Sequence, residues 1–291
     1  MLAERATDVS RHGDRRGTRQ SVSAAAATRR PRASWSPPPA FPRLADQDVH
    51  AWLAPLEGGP QRARGLAAAL SEDERARANR FLTERDRRRF IVCRGVLRTI
   101  LGWYLGVAPA AVEFRYGPHG KPAITGGPGR CALRFNVSHA DGMALYAVTL
   151  GREVGVDLER VRSDVATEEI AERFFSAREA AVLRALDPAS RVQAFFRIWT
   201  RKEAYLKATG RGLLSPLREL DVSFLPDEPA ALLATPLGPR EACRWRLEEL
   251  FADARYVAAI AVEGHGWRLR RWKWPAHLGE AAYERGASSC R

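Results

Sequence analysis

Lysine is scarce in this chain. Of 47 basic residues among 291, only Lys121, Lys202, Lys207 and Lys273 are lysines. Arginine serves everywhere else, so a generally basic surface does not explain why lysine stands at these four places. A compact ammonium suits a phosphate approached as a point charge, whereas a guanidinium fork needs more room. Cysteine is scarce too. Cys93, Cys131, Cys243 and Cys290 are scattered, with no C-x-x-C pair, which argues against a disulfide frame or zinc site and for reduced thiols in a cytoplasm. No apolar run reaches membrane-spanning length. The amino terminus has no compact apolar segment, so neither a membrane partner nor a secretory signal is expected.

What is present describes a soluble globular chain, with 45% hydrophobic and 28% charged residues. At this length it can bury one large core or two smaller ones. The formal charge of +13 favours an anionic partner, and charge alone leaves nucleic acid, an acidic protein and a nucleotide equally open. Residues 1–45 hold nine arginines and three acidic residues, with Ala24 to Ala27 and Pro37 to Pro39. That composition predicts a disordered basic arm.

Along the chain, Val49–Leu53 reads as a strand. Ser71 to Glu74 is a capping box that opens a helix toward Phe81. A longer helix is expected from about Asp86 to Leu105. Strands follow at 112–116, 133–137 and 144–150, with Gly117 to Pro122 as a turn. The second part repeats this order. Ser176 to Glu179 is another capping box, and a long helix runs from about Arg191 to Thr209, ended by glycine. Strands are expected at 220–224, 244–250, 256–262 and 267–272. The reading is an α+β chain of two similar halves, 46–150 and 151–275, with a loose tail at 276–291.

Two stretches carry chemistry. In Val154 to Glu159 the apolar residues alternate with Gly155, Asp157 and Glu159, so both carboxylates share one strand face. Two neighbouring carboxylates repel, and a hard divalent cation would compensate them. In Trp199 to Lys207 the helical period sets Glu203 and Lys207 one turn apart. A third carboxylate and an amine aimed at the Asp157–Glu159 pair suit a magnesium-bound phosphate substrate. Either stretch alone also reads as a solvated face or a surface ion pair. A magnesium nuclease is a further alternative, although nucleases of the D…E-x-K kind place Glu and Lys on a strand, and here they sit in a helical pattern. A non-catalytic module holding acidic carrier proteins is another, although it has no need of three convergent carboxylates.

Taken together, Gly155-Val156-Asp157-Leu158-Glu159 and Trp199-Thr200-Arg201-Lys202-Glu203-Ala204-Tyr205-Leu206-Lys207 resemble the signature of the phosphopantetheinyl transferase superfamily, G-[IV]-D-x-E followed by W-[ST]-x-K-E-[AS]-x-x-K. Tyr116 to Pro122 is similar to its Y-G-x-x-G-K-P segment, and Phe135 to Gly142 to its F-N-x-S-H-x-x-G segment. The likeness covers residues 46–272 and is nearest the long, monomeric, surfactin-synthetase-activating type. It implies a tandem fold of two pseudo-symmetric α/β halves with the active site in the cleft between them. It also implies transfer of 4′-phosphopantetheine from coenzyme A to a serine of an apo acyl or peptidyl carrier protein, with release of 3′,5′-ADP. By the resemblance, Asp157, Glu159 and Glu203 hold magnesium, with manganese as a substitute. Asp157, Glu203 and Lys207 are catalytic, Glu203 as the base. Lys121, Ser138, His139, Lys202 and Lys207 contact coenzyme A, and Arg88, Arg89, Arg75 and Arg77 hold its 3′-phosphate. The implied partners are acidic carrier proteins of polyketide, nonribosomal peptide or fatty acid synthases, and not nucleic acid.

Overall fold

The computed structural model describes residues 34–40, 42–125, 132–212 and 217–275. The amino-terminal half begins with β1 (Asp48–Pro55) and the helices α1 (Pro60–Ala67), α2 (Glu72–Ala78) and α3 (Glu84–Leu105). A 3-10 turn at Pro109–Ala111 leads to a small hairpin, β2 (Phe114–Tyr116) and β3 (Pro122–Ile124), and then to a longer one, β4 (Leu133–Ala140) and β5 (Met143–Leu150). The second half repeats the plan with β6 (Val154–Arg160), α4 (Thr167–Phe174), α5 (Ala177–Ala185) and α6 (Pro188–Thr209). A 3-10 turn at Leu217–Glu219, the small hairpin β7 (Asp221–Val222) and β8 (Leu232–Ala234), α7 (Pro239–Ala242), and the hairpin β9 (Trp245–Leu250) and β10 (Tyr256–Glu263) follow, and β11 (Arg268–Lys273) ends it.

The repetition has local causes. Both capping boxes form: Glu74 accepts the Ser71 N–H, and Glu179 accepts the Ser176 N–H. Each satisfies a helix-end donor that has no partner within the helix. The two long helices are each 22 residues, capped by the side chains of Thr83 and Asp187. Each ends on a left-handed glycine, Gly106 at φ 64° and Gly210 at φ 68°, a conformation that costs glycine nothing. The caps explain why α3 and α6 begin two or three residues earlier than their apolar period suggests. The short helices α1 and α4 were not expected. Each has few inward apolar residues, and neither N-cap side chain makes a cap bond. The strand expected at 220–224 narrows to Asp221–Val222.

The strands form two main sheets, ordered β11-β1-β5-β4 and β6-β10-β9. Alternation along each strand sorts the core into layers. From β1 and β5, Trp52, Ala54, Tyr146 and Val148 face α3, while Val49, Ala51, Leu145 and Ala147 face the other sheet. From β6, Val154, Val156 and Leu158 enter that same inter-sheet layer. The order is therefore helices, sheet, sheet, helices.

The ends of the described chain tie the halves together. The C-terminal β11 pairs in parallel with β1. Trp274 is buried in the amino-terminal core, its ring stacked on Trp103 at 5.2 Å. At the other end the folded region reaches beyond the expected boundary at residue 46. Ser36 bridges to Trp272, and Trp35 Nε1 donates to the Phe251 carbonyl at 2.5 Å. Large aromatic surface on Trp35 supplies the burial that the arginine-rich composition around it lacks. Residues 1–33 and the tail 276–291 lie outside the described residues. Among the described residues, no helix is long and apolar enough to cross a membrane.

Candidate active site

The site grows from the packing of α6 on β6. Odd-numbered residues of β6 face α6, and Gly155 marks the closest approach. A Cβ there would lie 2.1 Å from the Ala204 carbonyl and 2.3 Å from the Ala208 N. Only glycine lets the helix backbone settle directly on the strand. The next two odd positions, Asp157 and Glu159, then meet the helix face that carries Glu203 and Lys207.

The contacts centre on Asp157, which is 1% exposed. Lys207 Nζ donates to Asp157 Oδ1 at 2.6 Å and to Ser138 Oγ at 2.8 Å. The Ser138 hydroxyl donates to the same Asp157 oxygen at 3.0 Å and accepts the Leu158 N–H at 3.3 Å. Asp157 Oδ2 is buried without a hydrogen-bond partner. Glu159 and Glu203 are also buried. Burial and the charge of Asp157, with a smaller contribution from Glu203, push the Glu159 carboxyl up to about 8. Carboxylates crowded in low dielectric hold protons or call for a cation. Among the described residues, no three His, Cys, Asp or Glu side chains are grouped closely enough to hold a metal ion. The donor set nevertheless fits a hard divalent cation. It consists of carboxylate oxygens, one of them an orphan, next to a carboxyl that resists ionising alone.

Ser138 and His139 lie on opposite faces of β4. Ser138 is buried in the cluster, whereas the His139 ring reaches solvent. Protein crowding the ring, then the charges of Lys207, Arg77 and Arg89, push the His139 pKa down. The structure thus brings Asp157, Glu159, Glu203, Lys207, Ser138 and His139 together, with Arg77 and Arg89 near enough for their charges to be felt. Arg89 is held by Glu57 at 2.5 Å and Asp141 at 3.4 Å, and Arg77 lies over the Phe90 ring at 5.4 Å. Arg88 pairs with Glu84 on its own helix, and Arg75 donates to the Leu70 carbonyl. Among the described residues, neither of these two is bonded to the cluster. Lys121 is engaged elsewhere: its amine bonds Glu153 at 2.9 Å and the Ala208 carbonyl at 2.6 Å, securing the Gly117–Pro122 turn to the end of α6.

Lys202 departs from the expectation of a coenzyme contact. Its amine is fully buried, paired with Glu179 at 2.5 Å and bonded to the Leu217 carbonyl at 2.9 Å. That places it on the core side of α6. The first half holds the same arrangement. The capping-box Glu74 bonds Arg98 of α3 at 2.6 Å, and Arg98 in turn reaches the Pro109 and Val112 carbonyls around its 3-10 turn. Glu179 and Lys202 therefore read as the second copy of a structural clamp between a capped helix, a long helix and the turn after it. In α3, the places of Glu203 and Lys207 counted from the helix start are taken by Thr99 and Trp103, so the long helix of the first half carries no counterpart of this carboxylate–amine pair.

Residues 153–261 match the model of the 4′-phosphopantetheinyl transferase superfamily, and residues 59–150 match the 4′-phosphopantetheinyl transferase, N-terminal model. The chain is 44% identical over 241 residues to the 4′-phosphopantetheinyl transferase HetI of Nostoc sp. (strain PCC 7120), covering 83% of this chain and 98% of that protein. The chain belongs to the 4′-phosphopantetheinyl transferase superfamily. It is also 31% identical over 208 residues to a 4′-phosphopantetheinyl transferase of Bacillus subtilis, covering 72% of this chain and 88% of that one. A solved holo-(acyl-carrier-protein) synthase from Bacillus anthracis str. Ames is 18% identical and covers 39% of this chain and 96% of its own at a TM-score of 0.32, which adds nothing to the assignment. Membership makes the chain a transferase and removes the nuclease and non-catalytic alternatives. Members of this superfamily move phosphopantetheine from coenzyme A onto carrier proteins.

Proposed function

We propose that this chain transfers 4′-phosphopantetheine from coenzyme A to a serine of an acidic apo carrier protein in the cytoplasm, with magnesium, and releases 3′,5′-ADP. The observation that carries the reading is the convergence of Asp157, Glu159, Glu203 and Lys207 where α6 lies on β6. Asp157, Glu159 and Glu203 would hold the ion, whose chemistry there is to draw charge from the pyrophosphate.

The protein residues do the rest. Lys207 presents its third N–H beside Asp157, where it can face a phosphate oxygen, and Ser138 holds the Lys207 amine and Asp157 in place. His139, kept neutral by the protein crowding its ring and then by its positive neighbours, can donate a hydrogen bond without adding charge. Arg77 and Arg89 supply positive charge on the same side for the 3′-phosphate. The carrier serine oxygen attacks the pyrophosphate phosphorus nearer the pantetheine. The P–O bond to the nucleotide breaks, 3′,5′-ADP leaves, and the serine proton passes to Glu203. A single active site in one chain fits a monomer, and the net charge of +13 complements an acidic carrier.

The test is to weigh an apo carrier protein after incubation with this protein, coenzyme A and magnesium. A gain of one phosphopantetheine that is lost when the metal is chelated is expected. An unmodified carrier in the complete mixture contradicts the proposal.

A further inference from the structure

The two main sheets meet at their edges without a backbone ladder. Among the described residues, β4 pairs only with β5, and β6 is an edge strand of the other sheet. Two side chains on one face of β4 replace the ladder. Asn136 Oδ1 accepts the Val156 N–H at 3.0 Å, and Ser138 Oγ accepts the Leu158 N–H at 3.3 Å. Acceptors two residues apart on β4 thus match donors two residues apart on β6. Asn136 is 5% exposed, so its removal would leave a buried N–H unpaired.

This junction fixes more than a strand edge. Side chains on a strand alternate between faces, so a shift of one residue would turn Asp157 and Glu159 away from α6. A smaller slide would separate Asp157 from Ser138 and Lys207, whose contacts span only 2.6–3.0 Å. Ser138 touches Asp157 directly and belongs to the site. Among the described residues, Asn136 bonds no carboxylate of the site, and its contact is with the backbone one residue before Asp157.

We infer that Asn136 is a positioning residue for the transfer. Through the Val156 N–H it sets the height of β6 against β4, and so the place where Asp157 meets its partners. The inference rests on Asp157 being part of the active site, as proposed above.

The experiment compares Asn136→Leu with Asn136→Asp. Leucine fills the volume without an acceptor, and aspartate keeps the acceptor but buries a charge. Rates are taken per folded molecule, with the folded fraction read by near-ultraviolet circular dichroism. Manganese binding is measured separately by electron paramagnetic resonance. Asn136→Leu should lose about tenfold or more in kcat with a smaller change in the coenzyme A KM, and should bind manganese more weakly. Asn136→Asp should keep more of both than Asn136→Leu. A packing role alone predicts the reverse order, because leucine packs and a buried carboxylate does not. Asn136→Ala stands in if either variant fails to fold. Ser223→Ala controls for lost stability, because it removes a buried hydroxyl that bonds Ala231 N–H and the Pro229 carbonyl outside the site. The inference is overturned if Asn136→Leu matches the parent in kcat and manganese affinity within about twofold, or exceeds Asn136→Asp in both. Asp157→Ala run alongside separates the two levels. If it is inactive while Asn136 variants are silent, only the positioning role fails. If it is fully active, the site itself is misplaced.

Discussion

Burial and the Asp157 charge hold a proton on Glu159 up to about pH 8, whereas an unfolded chain releases it near the ordinary value of 4.5. The folded state therefore binds more protons between these values, and stability falls as pH rises through the window, levelling above it. His50 works the other way. Its buried ring, bonded to the Tyr104 hydroxyl at 2.6 Å, has a pKa lowered to about 4 from 6.5, so its contribution is lost as pH falls between those values. Above pH 6.5 only the Glu159 slope of this pair remains. Denaturant melts in chelator from pH 6.5 to 8 should show stability declining, and Glu159→Gln should flatten the decline. An equal slope in the variant would remove this reading of the carboxylate cluster. Lys202 gives a second test at this scale. Lys202→Met strands Glu179 in the core, where breaking a buried pair costs about 3–5 kcal/mol. The melting temperature should drop while the coenzyme A KM of the folded fraction stays unchanged. A raised KM at unchanged stability would restore Lys202 to the ligand.

At the scale of elements, the site depends on how closely α6 sits on β6. Gly155→Ala would drive a methyl into two backbone atoms of the helix, and overpacking of this kind costs about 1–3 kcal/mol or more. The helix must lift, carrying Glu203 and Lys207 with it, so turnover should fall by more than the loss of folded protein explains. Activity strictly proportional to folded fraction would contradict that coupling. The long helices, the capping boxes of α2 and α5, the glycine that ends α6 and the buried strands β5 and β10 were legible in the sequence, because these are local signals, whereas the Thr83 and Asp187 caps were not read. The pairing of Asp157 and Glu159 on one face was legible for the same reason. Lys202 was misread because residue type and nearness to a motif do not reveal direction. Adjacent helical residues point about 100° apart, so Glu203 faces the strand while Lys202 faces Glu179. Asn136 was visible within its motif, but its role depends on which strand edge lies opposite, and that is a long-range fact.

At the scale of the whole molecule, the repeated halves are not separable bodies. β1 takes its parallel partner from the chain's far end, and Trp274 fills the core around Trp52 and Trp103. A fragment of residues 46–150 lacks both, so it should fail to show cooperative unfolding when expressed alone. A sharp thermal transition in that fragment would show that the interlock is dispensable. In the proposed function one cluster, at the contact of α6 and β6, performs the transfer. The most direct measurement is the initial rate of holo-carrier formation at saturating coenzyme A, followed by mass spectrometry, for the parent, Asp157→Ala and Lys207→Arg. The parent should modify the carrier and Asp157→Ala should not, while remaining folded. Lys207→Arg, which keeps the charge but widens the head group, should lose about tenfold or more in rate. Parent-level rates in both variants would put the transfer outside this cluster.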